Sequence, residues 1–224
     1  MDQVREKPWL AHYDPGVPPE IQVPDIPLWR FLEESARRFP QNVALEFLGK
    51  TLSYQELWGL ARRFAQGLKD LGVRPGDRVA IMLPNSPQFV IAFYGTLLAG
   101  GVGVNVNPLY TPRELRHQLA DAGAETLVIL DHLLPRYLEV EKEVPVKRVV
   151  VTGIKDFLPF PKNLLYPLKA KRDGLPLGFP KREGFHAFAE LLKRPPAEPH
   201  VPDPEDLALL QYTGGTTGLS KGAM

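Results

Sequence analysis

The sequence predicts an α/β fold: a doubly wound, mostly parallel sheet with helices on both faces. Three observations carry this. Arg78–Leu83 (RVAIML) and Thr126–Leu130 (TLVIL) are almost wholly apolar, as strands buried on both faces are. Segments with 3.6-residue apolar periodicity separate such runs, and that alternation implies parallel pairing through helical crossovers. Two capping boxes, Ser53 with Glu56 and Thr111 with Glu114, mark where two of the helices start. In such sheets ligands bind beyond the carboxyl ends of the strands.

Taken in order, Leu28–Phe39 reads as a helix with Phe31, Leu32, Ser35 and Phe39 on one face. Val43–Leu48 is a strand, turned at Gly49-Lys50 into Thr51-Leu52. The helix after Ser53 carries Leu57, Leu60, Ala61, Phe64, Leu68 and Leu71 as its stripe, and Gly72 ends it. After the strand at 78–83, Ser86-Pro87 reads as a cap followed by proline at the first helical position, and the helix runs to Ala99. Val102–Val106 is a strand, Thr111 opens a helix ending near Gly123, and Thr126–Leu130 is a strand. His132–Lys142 reads as a helix, Lys147–Val151 as a strand, and His186–Leu192 as a helix opened by His186.

Prolines number 24 in 224 residues, about twice the usual share. They set the expected divisions: an extended arm at 1–27, the α/β unit at 28–154, an insert and stiff linker at 155–205, and the start of a further unit at 206–224. The absence of cysteine excludes disulfides, thiolate metal sites and a cysteine nucleophile. A net charge of +1 gives no global field favouring nucleic acid. No apolar run approaches the roughly 18–20 residues of a spanning helix, and the first ten residues lack the apolar stretch of a signal peptide, so a cytoplasmic setting is expected.

The most informative stretch follows the apolar run Leu207–Tyr212. Residues 213–218 are only Thr and Gly, and Lys221 follows. Glycine lets a backbone fold around an anion and present its N–H groups; threonine hydroxyls add donors, and lysine adds a mobile positive charge. This chemistry suits a polyphosphate; a flexible linker is the plainer alternative. The Walker A pattern fails because Lys221 lies between Ser220 and Gly222, and the dinucleotide fingerprint fails because Val106 stands where glycine is needed after Gly101-Val102-Gly103.

The segment Tyr212–Gly222 (YTGGTTGLSKG) resembles the ATP-phosphate loop of adenylate-forming enzymes, the superfamily of acyl-CoA synthetases, luciferases and adenylation domains. Ser220 departs from the proline common in that pattern. Leu52–Leu57 (LSYQEL) and the stretch from Leu98-Ala99-Gly100-Gly101 through Asn105–Leu115 (NVNPLYTPREL) resemble two upstream motifs of the same group. The forms present, with Asp156–Asn163 (DFLPFPKN), are most similar to bacterial long-chain fatty-acyl-CoA ligases, and the resemblance runs from about residue 25 to the end.

The resemblance implies part of the large N-terminal domain of such an enzyme. It implies attack of a fatty-acid carboxylate on the α-phosphate of Mg-ATP, then displacement of AMP by the thiol of coenzyme A. By resemblance, Thr213, Gly214, Gly215, Thr216, Thr217, Gly218 and Lys221 hold the β- and γ-phosphates, with Thr217 near the magnesium of Mg-ATP. It also implies that the adenine pocket, the magnesium-binding Glu, the acyl tunnel and a catalytic Lys lie beyond Met224, so no catalytic set is complete within the chain. The 224 residues alone are then expected to lack ligase activity. Ligation of another carboxylic acid and a non-catalytic split or truncated fragment remain as alternatives.

Residues 155–182 carry seven basic and two acidic side chains, and 157–168 hold seven large apolar groups. Two readings stand: peripheral docking of 157–172 on an anionic membrane, or a loop packing its aromatics on its own domain. The five histidines show no metal-binding spacing. Asp131, after the strand TLVIL, reads as a helix N-cap or as a functional carboxylate. Tyr54, Glu56, Asn105 and Asn107 read as structural. Trp9, Tyr13 and Trp29 read as clamps of the arm on the body or on a second copy in a homodimer.

Overall fold

The computed structural model describes residues 7–213 and 221–224. After a short 3-10 turn at Pro8–His12, helix α1 (Trp29–Arg38) leads into an antiparallel hairpin of β1 (Val43–Phe47) and β2 (Lys50–Ser53). Helix α2 (Tyr54–Asp70) follows at once. Its capping box is complete: Ser53 Oγ accepts from the Glu56 N–H at 3.2 Å, and Glu56 Oε2 accepts from the Ser53 N–H at 2.8 Å. Leu57, Ala61, Phe64 and Leu68 bury the stripe that the spacing predicts.

The main sheet begins with β3 (Arg78–Met82), α3 (Pro87–Leu98) and β4 (Val102–Asn105). Helix α4 (Pro112–Ala122) opens on the Thr111–Glu114 box and closes at Gly123, whose φ of 61° is the left-handed cap that glycine supplies cheaply. Then come β5 (Thr126–Leu130), a 3-10 turn at Asp131–Leu133, α5 (Leu134–Leu138), β6 (Arg148–Thr152) and a 3-10 turn at Ile154–Phe157. Helix α6 (Lys162–Arg172), β7 (Phe185–Ala187), α7 (Phe188–Leu191), β8 (Leu209–Thr213) and β9 (Lys221–Ala223) complete the chain. The seven-stranded order is β7-β6-β5-β3-β4-β8-β9, parallel throughout except for the last pair.

This order places β5 on the far side of β3 from β4. Right-handed crossovers then put α3 and α4 on opposite faces of the sheet, which is the doubly wound arrangement. On one side α1, α2, α3 and α7 pack together; on the other α4 meets α5. Phe64 and Phe188 meet with ring centroids 4.6 Å apart at the centre of the first layer. Gly95 of α3 permits this, since a β-carbon there would stand 2.7 Å from Phe64 Cδ1.

The proline-rich 195–204 stretch carries the chain from the β7 edge back past four strands to β8. It lies on α2 and α3: Ala197 exchanges backbone and guanidinium bonds with Arg62, and the His200 N–H donates to Leu98 O at 2.9 Å. Trp29 fixes it too, its indole N–H donating to His200 O at 3.0 Å. Trp9 and Tyr13 are exposed.

Three elements differ from the expectation. In α1 the buried residues are Trp29, Leu32 and Ala36, while Phe31 and Phe39 face outward, because α1 meets α2 through the Trp29–Trp58 stack. The helix expected over 132–142 is a 3-10 turn and five α-helical residues; the chain then bends so that Val140 and Val144 reach the core. His186 lies in the middle of β7 rather than opening a helix, because Phe185–Ala187 completes the parallel edge beside β6.

Candidate nucleotide-phosphate site

β8 alternates as a half-covered strand should: Leu210 and Tyr212 point into the protein, Gln211 and Thr213 out. It pairs with β4 in the register Gly103↔Leu209, Val104↔Leu210 and Asn105↔Gln211, so its carboxyl end shares an edge with those of the other parallel strands. β9 returns beside it with Thr213 opposite Lys221 and Tyr212 opposite Gly222. Antiparallel partners stand about 5 Å apart, so the two ends of the Gly/Thr-rich segment are held together at the sheet edge where ligands collect.

Thr213 and Lys221 are both exposed there. The other residues expected to hold phosphate, Gly214, Gly215, Thr216, Thr217 and Gly218, lie outside the described residues, as does the expected neighbourhood of Thr217 to magnesium.

Packing and hydrogen bonds fix the base of the segment. The Tyr212 hydroxyl donates to Asp121 Oδ2 at 2.6 Å. Burial, followed by the hydrogen bond and charge of Asp121, pushes the phenol pKa up, so the hydroxyl stays a donor at any ordinary pH. Gly222 leaves room for the ring: a β-carbon there would lie 3.1 Å from Tyr212 Cε2. On the outer face Asn105 Nδ2 donates to Gln211 Oε1 at 2.9 Å, and Gln118 Nε2 donates to Asn105 O at 2.8 Å.

The upstream motifs surround this base. Asn107 Oδ1 accepts from the Leu109 N–H at 2.9 Å, forming a turn after β4. Arg136 spans the same turn, donating to Pro108 O at 2.6 Å and Tyr110 O at 3.0 Å. Glu56 is occupied by its cap, whose hydrogen bonds from the Ser53 backbone and side chain hold its carboxyl below the usual range. Asp131 is buried; its oxygens accept from the His132 N–H at 2.8 Å and the Gly178 N–H at 3.3 Å, which ties the 174–180 segment to the end of β5.

Sequence reasoning missed a second polar group. The sheet order reverses between β3 and β5, and at their carboxyl ends Ser86 Oγ, Gln88 Oε1 and His132 Nδ1 are buried without a hydrogen-bond partner. Ser86 makes no side-chain cap bond to α3, contrary to its expected role. The strand order, which a linear reading does not contain, is the signal that would have singled out these three. Among the described residues no group of three or more His, Asp or Glu is placed to hold a metal ion. The cavity lined by Trp29, Gly76, Arg78 and His200 opens at the opposite, amino-terminal edge of β3 and β4.

The chain resembles known proteins in sequence and in fold. The chain is 44% identical over 223 residues to a long-chain-fatty-acid–CoA ligase of Bacillus subtilis and 39% identical over 229 residues to one of Escherichia coli O157:H7; each comparison covers 98% of this chain. The chain spans about 40% of the length of these curated relatives. A solved long-chain-fatty-acid–CoA ligase from Archaeoglobus fulgidus superposes with a TM-score of 0.71 at 26% identity, over 91% of this chain and 37% of that one. The AMP-binding enzyme pattern matches residues 32–224, which takes in both upstream motifs and the whole Gly/Thr-rich segment, and the chain belongs to the AMP-binding enzyme family.

Proposed function

We propose that this chain is the N-terminal, ATP-phosphate-holding part of an ATP-dependent fatty acid–CoA ligase. The observation that carries the reading is the Thr/Gly segment with its following lysine, rooted by β8 and β9 at the carboxyl edge of a sheet of this family. The reaction joins a carboxylate oxygen to the α-phosphorus of ATP, releasing pyrophosphate, and the acyl-adenylate then gives its acyl group to the thiol of coenzyme A with release of AMP. The identity to curated fatty-acid ligases supports a long-chain acid as substrate.

In this reading Thr213, Gly214, Gly215, Thr216, Thr217, Gly218 and Lys221 hold the β- and γ-phosphates and steady the charge that builds on departing pyrophosphate. Thr213 offers a hydroxyl from one side of the ladder and Lys221 an ammonium from the other. Thr217 would stand near the magnesium that accompanies ATP, and that ion would supply charge neutralisation at the phosphates. The chain then divides into an extended arm at 1–27, an α/β unit at 28–154, an insert and linker at 155–205, and the start of a further unit at 206–224, which β8 joins to the sheet. No helix among the described residues is long and apolar enough to cross a membrane, and a cytoplasmic setting beside a membrane surface goes with a fatty-acid substrate.

The test is ATP–pyrophosphate exchange in the full-length polypeptide that carries this chain. Lys221→Ala and Thr217→Val should each slow exchange by about 100-fold or more, the usual cost of one oriented charge or donor at a transition state. Both variants should keep the wild-type melting temperature. Unchanged exchange in both variants would sink the assignment.

A further inference from the structure

The insert divides its apolar residues between two environments. Phe157 and Leu158 are buried, as a loop packed on its own domain requires. Helix α6 behaves otherwise. Its inward face is Asn163, Tyr166, Pro167 and Ala170, at spacings of three, four and seven, and Ala170 is fully enclosed. The face turned to solvent carries Leu164, Leu165 and Leu168, exposed to 65%, 57% and 69%. Phe160, just before the helix, is 79% exposed. With 100° per residue, the three leucines fill one arc of about 100°, with Lys171 and Lys169 at its two borders and Arg172 in line with the arc at the end of the helix. At the helix end the Asp173 carboxylate pairs with Arg172 at 3.5 Å.

The hairpin extends this surface. Lys162 Nζ donates to Leu48 O at 2.8 Å, which sets the exposed Leu48 at the β1–β2 turn beside the start of α6. A leucine arc bordered by cations on a helix whose other side is already packed is the pattern of a helix lying in a lipid interface, apolar groups in the acyl boundary and cations among phosphates. A protein partner could cover the leucines, but the cluster of lysine and arginine at their edge matches an anionic surface, and residues 155–182 carry a local charge of +5.

We propose that the outward face of α6, with Phe160 and Leu48, docks this protein on an anionic lipid bilayer. The inference is independent of the phosphate-loop assignment, because its test contains no nucleotide. The full-length polypeptide that carries this chain is floated with phosphatidylcholine vesicles and with vesicles that also contain phosphatidylglycerol. It should rise with the anionic vesicles, far less with the neutral ones, and should be released by salt. The combined variant Lys169→Gln, Lys171→Gln, Arg172→Gln should weaken anionic binding by about fivefold per residue, on the order of 100-fold together. Leu164→Ser with Leu168→Ser should weaken binding to both vesicle types without changing the melting curve, since both side chains face solvent. Failure to float with anionic vesicles would overturn the proposal. So would equal flotation of wild type and both variants, or loss of the leucine effect together with a concentration-dependent dimer that the leucine variant abolishes.

Discussion

Tyr212 reaches across from β8 to place its hydroxyl 2.6 Å from Asp121 of α4, while Gly222 of β9 leaves its ring the space to lie flat against the ladder. This couples the residue just before the Gly/Thr-rich segment to the helix that follows β4. Tyr212→Phe keeps the ring and removes the hydrogen bond. A bond to a charged partner contributes about 1.5–3 kcal/mol when buried, and the exposure of Asp121 discounts it to about 1 kcal/mol. The expected result is a melting temperature lower by about 2–4 °C. Asp121→Asn should lose less than Tyr212→Phe, because an amide oxygen still accepts; an equal or larger loss would contradict this account.

Gly222→Ala tests the other side of the same ring. Its β-carbon would press on Tyr212 Cε2 and Cζ at 3.1 and 3.2 Å, so ring or ladder must shift by a few tenths of an ångström. In the full-length polypeptide the KM for ATP should rise several-fold while the melting temperature falls little. A large drop in stability with unchanged KM would assign Gly222 to the fold alone.

Two glycines of α2 should respond in opposite directions. A β-carbon at Gly59 meets nothing within 4 Å, so Gly59→Ala should stabilise by up to about 1 kcal/mol through helix propensity. A β-carbon at Gly67 would stand 2.5 Å from Leu191 Cβ and 2.9 Å from its Cα, and Gly67→Ala should cost about 1–3 kcal/mol by forcing α7 away. Denaturant titration of the two variants beside wild type reads both signs at once.

His186 supplies a pH dependence. Burial, and then the charge of Arg148, lowers its pKa in the folded chain below the ordinary value of 6.5. The unfolded chain therefore binds a proton more readily than the folded one below that pH. Stability from this group is full above about pH 6.5 and falls as the pH drops through the unfolded value towards the folded one. His186→Gln should remove that slope: the gap in stability between pH 7.5 and pH 5.5 should be smaller than in wild type. An identical gap would show that His186 does not titrate on unfolding.

The capping boxes give the acid-side counterpart. Ser53 holds the Glu56 carboxyl below its ordinary pKa, and Thr111 does the same for Glu114. Such carboxylates add stability above the unfolded pKa and lose it as the pH falls through the folded one. Ser53→Ala should lower stability at pH 7 by about 1 kcal/mol. Its deficit against wild type should shrink as the pH falls through the lowered pKa of Glu56 and the carboxylate becomes protonated. Thermal melts across that range check it.

Local chemistry made several parts of this protein legible in its sequence. Ser53 and Glu56, and likewise Thr111 and Glu114, lie three residues apart, so each helix start is decided within one turn and needs nothing distant. Thr126–Leu130 announces a buried strand because all five of its side chains must avoid water. The run of Thr and Gly after Tyr212 announces phosphate chemistry because so few side chains leave the backbone N–H groups free to bind. The reach of those signals is short. Phe31 and Phe39 fit an apolar face as well as Trp29 and Ala36 do, and only the neighbouring α2 selects between them.

What the sequence by itself determined is therefore the alternation of strand and helix, the sites of the caps, and the composition of the loop, all set by neighbours within a few residues. The tertiary structure alone decided that β5 crosses to the far side of β3, that 195–204 carries the chain back so that β8 lies beside β4, and that β9 closes the loop with Thr213 opposite Lys221. It also decided that α6 packs Tyr166 and Ala170 inward and leaves three leucines outside. These choices are made by burial between segments as many as 171 residues apart, as in the Trp29–His200 bond, and no short window of residues contains both partners.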